Sequence, residues 1–174
     1  MHNRLRKSVI GTLFAAFFLL LGLIATPSAT AAPASPNAFL HFVNWNSGQC
    51  LAVPNGSTAQ GAGLIQWPCG SFHDHYWELQ PQSNGYYHIV NLNSNQCLAV
   101  PGGSTAQGVQ LIQWPCGTWN DHYWYLVNEG GGLYHVVNKN SGQCLAVEGG
   151  STAAGAHVIQ WPCGTWHDHY WSFS

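Results

Sequence analysis

Three tryptophans, Trp67, Trp114 and Trp161, recur at intervals of 47 residues, and each is followed by an Asp–His pair: Asp74–His75, Asp121–His122 and Asp168–His169. An indole offers a flat apolar face against which C–H groups stack. A carboxylate only accepts hydrogen bonds, whereas an imidazole both donates and accepts. Rings and a few fixed polar groups converging on one hollow hold a small ligand without breaking any of its bonds. Phe72, Trp119 and Trp166, three residues after a cysteine in each copy, are further candidate stacking surfaces, because packing less readily explains an aromatic in a loop.

Two other chemistries are open to these residue types. His73-Asp74-His75 and His167-Asp168-His169 are His-x-His pairs, which on a strand would turn both imidazoles to one face. Imidazole suits zinc or copper. The middle copy has Asn120 for the first histidine, and two ligands fall short of the usual set, so no metal and no cofactor is expected. Catalysis is the second. Glycoside cleavage needs two carboxylates roughly 5 to 9 Å apart, but the in-register acids occur once per copy. Residues peculiar to one copy are few (Glu78, Glu129, Lys139, Glu148 and His157), and Ser57, Ser104 and Ser151 lie in Gly/Thr-rich turns. No nucleophile–base pair emerges, so no catalytic residue and no enzyme is expected.

The elements that carry these residues repeat with them. Each copy opens on an alternating apolar run, Leu40 to Asn44, Tyr87 to Asn91 and Tyr134 to Asn138, bounded by an Asn/Ser/Gly turn; such runs read as strands. In the first copy a second strand covers Cys50 to Val53, a third Leu64 to Trp67, and a fourth His75 to Leu79. Alternation puts Ile65 and Trp67 on one face and Leu64 and Gln66 on the other, and leaves open which face turns inward. It also puts His75 with Trp77 and Leu79, on a face expected to be core, where the histidine would satisfy buried backbone groups. Trp77, Trp124 and Trp171 are assigned to the core. No segment holds a helical period. Three copies of four short strands point to a closed all-β fold, a β-trefoil of three 47-residue repeats (about 38–80, 85–127 and 132–174), since closure removes exposed strand edges.

Six cysteines stand in register: Cys50 and Cys69, Cys97 and Cys116, Cys144 and Cys163. Six allow 15 connectivities; the threefold repetition favours the pairing within each copy. Each bridge would contribute on the order of 3 kcal/mol through the unfolded chain. Ahead of the repeats, Arg4, Arg6 and Lys7 precede an apolar run from Val9 to Ala25 and the small residues Ala29 to Ala32. That is the pattern of a secretory signal peptide over 1–32, followed by a short leader, 33–37, and a secreted, extracellular location is expected. Without the first 32 residues one cation, Lys139, faces six acids, for a net charge of about −5 with histidine neutral. Nucleic acid and anionic membrane surfaces are therefore poor partners. The oligomeric state is left open.

Ser47-Gly48-Gln49-Cys50-Leu51-Ala52-Val53, Gln66-Trp67-Pro68-Cys69 and the closing Trp77, each written three times, resemble the ricin B-type lectin repeat. The resemblance covers all three copies and implies a three-lobed carbohydrate-binding trefoil, of a kind often found beside secreted glycosidases. It implies that Trp67, Trp114 and Trp161 carry the sugar, with Asp74, Asp121 and Asp168 in the place of the family's polar residue, usually Asn. His75, His122 and His169 replace the Gln of its Gln-x-Trp signature. The Asp of its Cys-Leu-Asp-Val is Ala52, Ala99 and Ala146 here, so recognition of galactose through that group is not implied. The reading is a non-catalytic, secreted lectin-like protein with up to three equivalent weak sites for extracellular polysaccharide or glycoconjugate. Its alternative is a trefoil protease inhibitor or interaction protein that keeps the scaffold without the sugar.

Overall fold

The computed structural model describes residues 38–174; the proposed signal peptide and leader lie outside the described residues. Each copy contributes the same short strands. The first comprises β1 (Phe39–Leu40), β2 (Phe42–Asn44), β3 (Cys50–Ala52), β4 (Ile65–Trp67) and β5 (Trp77–Pro81). The second comprises β6 (Tyr87–Asn91), β7 (Cys97–Ala99), β8 (Ile112–Trp114) and β9 (Trp124–Gly130), and the third β10 (Leu133–Asn138), β11 (Cys144–Val147), β12 (Val158–Trp161) and β13 (Trp171–Phe173). β1 and β2 are two halves of one strand, interrupted at His41, which exchanges backbone hydrogen bonds with Ser174.

Antiparallel pairing runs β1–β5–β6–β9–β10–β13–β2. Because β1 leads directly into β2, the order returns to its start and closes a six-stranded barrel with no free edge. The hairpins β3–β4, β7–β8 and β11–β12 cap it. Their meeting point is a cyclic set of backbone bonds: Leu64 N–H donates to the Leu111 carbonyl at 2.8 Å, Leu111 to Val158 at 2.9 Å, and Val158 back to Leu64 at 3.0 Å. This is the β-trefoil that the repeat implied.

One tryptophan per copy anchors the interior. Trp77, Trp124 and Trp171 are fully buried, and each indole N–H donates to a hairpin carbonyl, Leu51, Leu98 or Leu145, at 3.0, 2.9 and 2.9 Å. A buried indole needs such a partner. Elsewhere the copies trade volume. Phe42 stands where Ile89 and Val136 stand in the others, and it packs edge-on against Phe173 at 4.7 Å, the site of Leu79 and Leu126. The disulfides are Cys50–Cys69, Cys97–Cys116 and Cys144–Cys163, as repetition favoured.

The fourth strand differs from its expected start. It begins at Trp77, not His75, and His73–His75 forms a single 3-10 turn, as do Asn120–His122 and His167–His169. In the first turn His75 N–H bonds back to Phe72 O at 3.0 Å. A tertiary bond holds the turn in place: Asn91 Nδ2, from the next copy, donates to Asp74 O at 2.9 Å. Alternation along a strand therefore does not govern His75. His73 is exposed and His75 buried, so the two imidazoles of this His-x-His pair do not share a face.

Candidate functional site

Gln66, Gln113 and Gln160 decide which face of each hairpin turns inward. All three are fully buried. Gln66 Nε2 donates to the carbonyls of Ser151 and Ala153 at 2.8 and 2.9 Å, and its Oε1 accepts from Ser47 Oγ at 2.7 Å. A satisfied amide costs little to bury. The pleat then turns Ile65 and Trp67 outward, and Trp67 is 45 % exposed.

Outside each hairpin lies a hollow, of about 520, 430 and 540 Å³ in the three copies. In the first, Trp67 forms one wall and Phe72 another, Ala52, Val53 and Ile65 supply a hydrocarbon floor, the turn Pro54–Gly56 borders it, and Asp74 and His75 bring the polar groups. Trp114, Trp119, Asp121 and His122 repeat the arrangement, as do Trp161, Trp166, Asp168 and His169. Phe72, Trp119 and Trp166 are the most exposed of these rings, at 66, 60 and 60 %. The indoles of Trp119 and Trp166 occupy the space that a Cβ on Gly117 or Gly164 would need, so these loop aromatics rest on bare backbone.

The nine residues expected at the site thus come together three by three, one tryptophan, one aspartate and one histidine per hollow. Tyr76, Tyr123 and Tyr170 do not join them. Tyr76 and Tyr170 stack instead on His41 and His135, with ring centroids 4.2 and 4.5 Å apart, and Tyr123 lies tilted over His88 at 4.6 Å.

The histidines face the aspartates. His122 Nδ1 accepts from Gly117 N–H and His169 Nδ1 from Gly164 N–H, both at 3.2 Å. An acceptor at Nδ1 places the ring proton on Nε2, which faces the adjacent carboxylate: Asp121 Oδ2 at 3.5 Å and Asp168 Oδ2 at 3.6 Å, with His75 and Asp74 also at 3.5 Å. Burial pushes His75, His122 and His169 below the ordinary histidine value, and the neighbouring aspartate only partly opposes it. Near neutral pH each is uncharged, and at 3.5 to 3.6 Å its Nε2 stands just beyond a normal hydrogen bond to the carboxylate. Among the described residues those carboxylates take no other side-chain or backbone donor, which leaves oxygens free for a ligand.

Each hollow is braced from another copy. Asn44, Asn91 and Asn138 are fully buried and donate to the backbone carbonyls of Asp168, Asp74 and Asp121 at 2.7, 2.9 and 2.8 Å. Gly155, Gly61 and Gly108, at φ of 82°, 80° and 80°, bring bare backbone against the rims of Trp67, Trp114 and Trp161; a Cβ there would lie 3.7, 3.5 and 3.4 Å from the indoles. Reading motif by motif overlooks these Asn, Gln and Gly residues, yet all recur at 47, the same signal that marked the tryptophans. Among the described residues one cluster has metal-ligand spacing, His88 with Cys97 and Cys116; its two sulfurs are joined in a disulfide and are not thiolate ligands.

Residues 32–114, 73–161 and 120–173 each match the family model described as ricin-type beta-trefoil lectin domain-like. No curated protein matches the chain. Among solved structures, a designed threefold-symmetric protein, ThreeFoil, is 34 % identical over 78 % of this chain and 96 % of its own, with a TM-score of 0.76. An exo-β-1,3-galactanase from Clostridium thermocellum is 28 % identical over 79 % of this chain, with a TM-score of 0.77, and this chain spans 30 % of its length. A ricin B-like lectin of Macrolepiota procera, solved in complex with lactose, shares the fold at 16 % identity and a TM-score of 0.71, over 82 % of this chain and 98 % of that one.

Proposed function

The chain belongs to the ricin-type beta-trefoil lectin domain-like family, and from that premise we propose that it is a secreted, non-catalytic carbohydrate-binding protein with up to three equivalent weak sites. One observation carries the reading. Three matched hollows each set a half-buried or exposed tryptophan wall against a carboxylate with oxygens to spare. A pyranose ring has an apolar C–H face and hydroxyls at its edge, and this geometry suits both. The lactose complex of a protein with the same fold supports a saccharide as the ligand class. Galactose-type recognition through a floor carboxylate is not proposed, because Ala52, Ala99 and Ala146 stand there. The absence of catalysis is supported by acid count. The first two hollows hold one carboxylate each, whereas glycoside hydrolysis uses a pair. The third adds Glu148, which pairs with His157 at 3.2 Å.

The test is a glycan and polysaccharide binding panel run on the native chain and on Trp67→Ala, Trp114→Ala and Trp161→Ala. Each substitution should weaken its own site about tenfold, ~1.4 kcal/mol, the scale of one aromatic stacking contact. A silent panel accompanied by tight protease inhibition would overturn the proposal in favour of an inhibitor.

A further inference from the structure

The charge of the hollows narrows the ligand class further, and the inference rests on the lectin reading above. Asp74, Asp121 and Asp168 are 9, 8 and 8 % exposed. Among the described residues no Lys or Arg faces any of them. Lys139, the one such residue beyond position 7, is held between the rings of Tyr86 and Tyr123, 4.8 Å from each centroid, and lines none of the hollows. Each carboxylate faces a histidine Nε2 at 3.5 to 3.6 Å, a long contact, and burial keeps that histidine neutral near pH 7. A nearly buried carboxylate without a cationic partner is costly, and a ligand that supplies the cation relieves that cost. The remaining lining is apolar and aromatic, the surroundings in which a cation gains from an indole face.

We propose that the three hollows select saccharides bearing a protonated amine, such as a polymer of β-1,4-linked glucosamine, with the ammonium seated between the aspartate carboxylate and the tryptophan face. A glycan with free carboxylates, a uronate or sialate, would meet a like charge and is rejected. An amide side chain in place of the aspartate would suit a neutral sugar better, since it donates as well as accepts; the acceptor-only carboxylate repeated in all three copies suits a donor with a positive charge.

Isothermal titration of the full protein near pH 7 separates the cases with three β-1,4-linked hexamers that differ only at C2: glucosamine, N-acetylglucosamine and glucose. The glucosamine hexamer should bind about tenfold tighter than the glucose hexamer, and the advantage should shrink several-fold in ~0.5 M salt. In the Asp74→Asn, Asp121→Asn, Asp168→Asn triple variant the ratio of the two affinities should fall to about one. The salt dependence needs no variant and stands even if that variant folds poorly. Equal or tighter binding of either neutral hexamer overturns the amine assignment, and if Trp→Ala variants still weaken that binding, the lectin reading survives. A lysine hexapeptide that competes as well as the glucosamine hexamer also overturns it, by showing that charge alone is read. If none of the hexamers binds, the amine assignment fails, and the wider glycan panel alone decides the lectin reading.

Discussion

Two tryptophans ten residues apart, Trp114 and Trp124, have opposite duties. Trp124 fills the barrel and ties its N–H to Leu98 O at 2.9 Å, whereas Trp114 walls a hollow. Trp124→Ala removes a buried ring and orphans a carbonyl, so it should destabilise by about 3–5 kcal/mol. Trp114→Ala should shift stability by less than about 1 kcal/mol while it weakens ligand binding. Urea unfolding of both variants, with the glycan titration beside it, checks the contrast. The buried role was legible from the chain, since the tryptophans closing each copy read as core. The outward role was not. Hydropathy would bury Ile65 before Gln66, and the reverse holds because Gln66 finds carbonyl partners on Ser151 and Ala153, 85 and 87 residues away. Partners that far apart are set by the closed fold and cannot be read from the local pattern.

At the scale of elements, the 3-10 turn that carries each aspartate is held by an asparagine of a neighbouring copy and by buried imidazoles. Asn91 donates to Asp74 O from β6, and its Oδ1 accepts the N–H groups of Asn93 and Ser94 at 3.1 and 3.2 Å. Asn91→Ala leaves buried groups unpaired and should lower stability by about 2–3 kcal/mol. It should also impair the first hollow, although Asn91 lies in the second copy. A titration of the three sites with a short ligand would show whether the first is the one lost. The turns also set a pH response. Burial lowers the pKa of His75, His88, His122 and His169 in the fold, while in the unfolded chain each sits at about 6.5. Below that value the unfolded chain takes up protons that the folded one does not, so stability should fall as pH drops from about 7 towards the folded values, and stay flat above. Urea midpoints measured from about pH 8 to pH 5 would follow that curve, and His122→Gln should flatten it. A midpoint that rises on acidification would contradict the assignment. Strand existence was legible in the alternation of Tyr87 to Asn91, which β6 matches to the residue. The turn at His73–His75 was not, because the Asn91 bond that helps hold it comes from another copy.

The whole molecule couples its sites in a ring. Gly155 of the third copy backs Trp67, Gly61 of the first backs Trp114, and Gly108 of the second backs Trp161. The glutamines cross the same boundaries, Gln113 to Ser57 and Ala59, and Gln160 to Ser104 and Ala106. The first two hollows are lined from within one copy and the third borrows only Gly108, but each is backed by a glycine and an asparagine of a neighbouring copy. Closure also fixes the hollows at set positions around one axis, and under the proposed lectin function a polymer that reaches two of them gains by effective concentration. Removing a single site should then have two different consequences. With a short saccharide, Trp161→Ala should lower the stoichiometry from three to two and leave the affinity of the remaining sites unchanged. With a long polymer it should lower the apparent affinity by roughly tenfold or more, since one rebinding step is lost. Titration with the short ligand and affinity electrophoresis in the polymer measure the two sides. If Trp161→Ala leaves polymer retention intact, one of the other sites dominates, and the threefold symmetry serves folding alone.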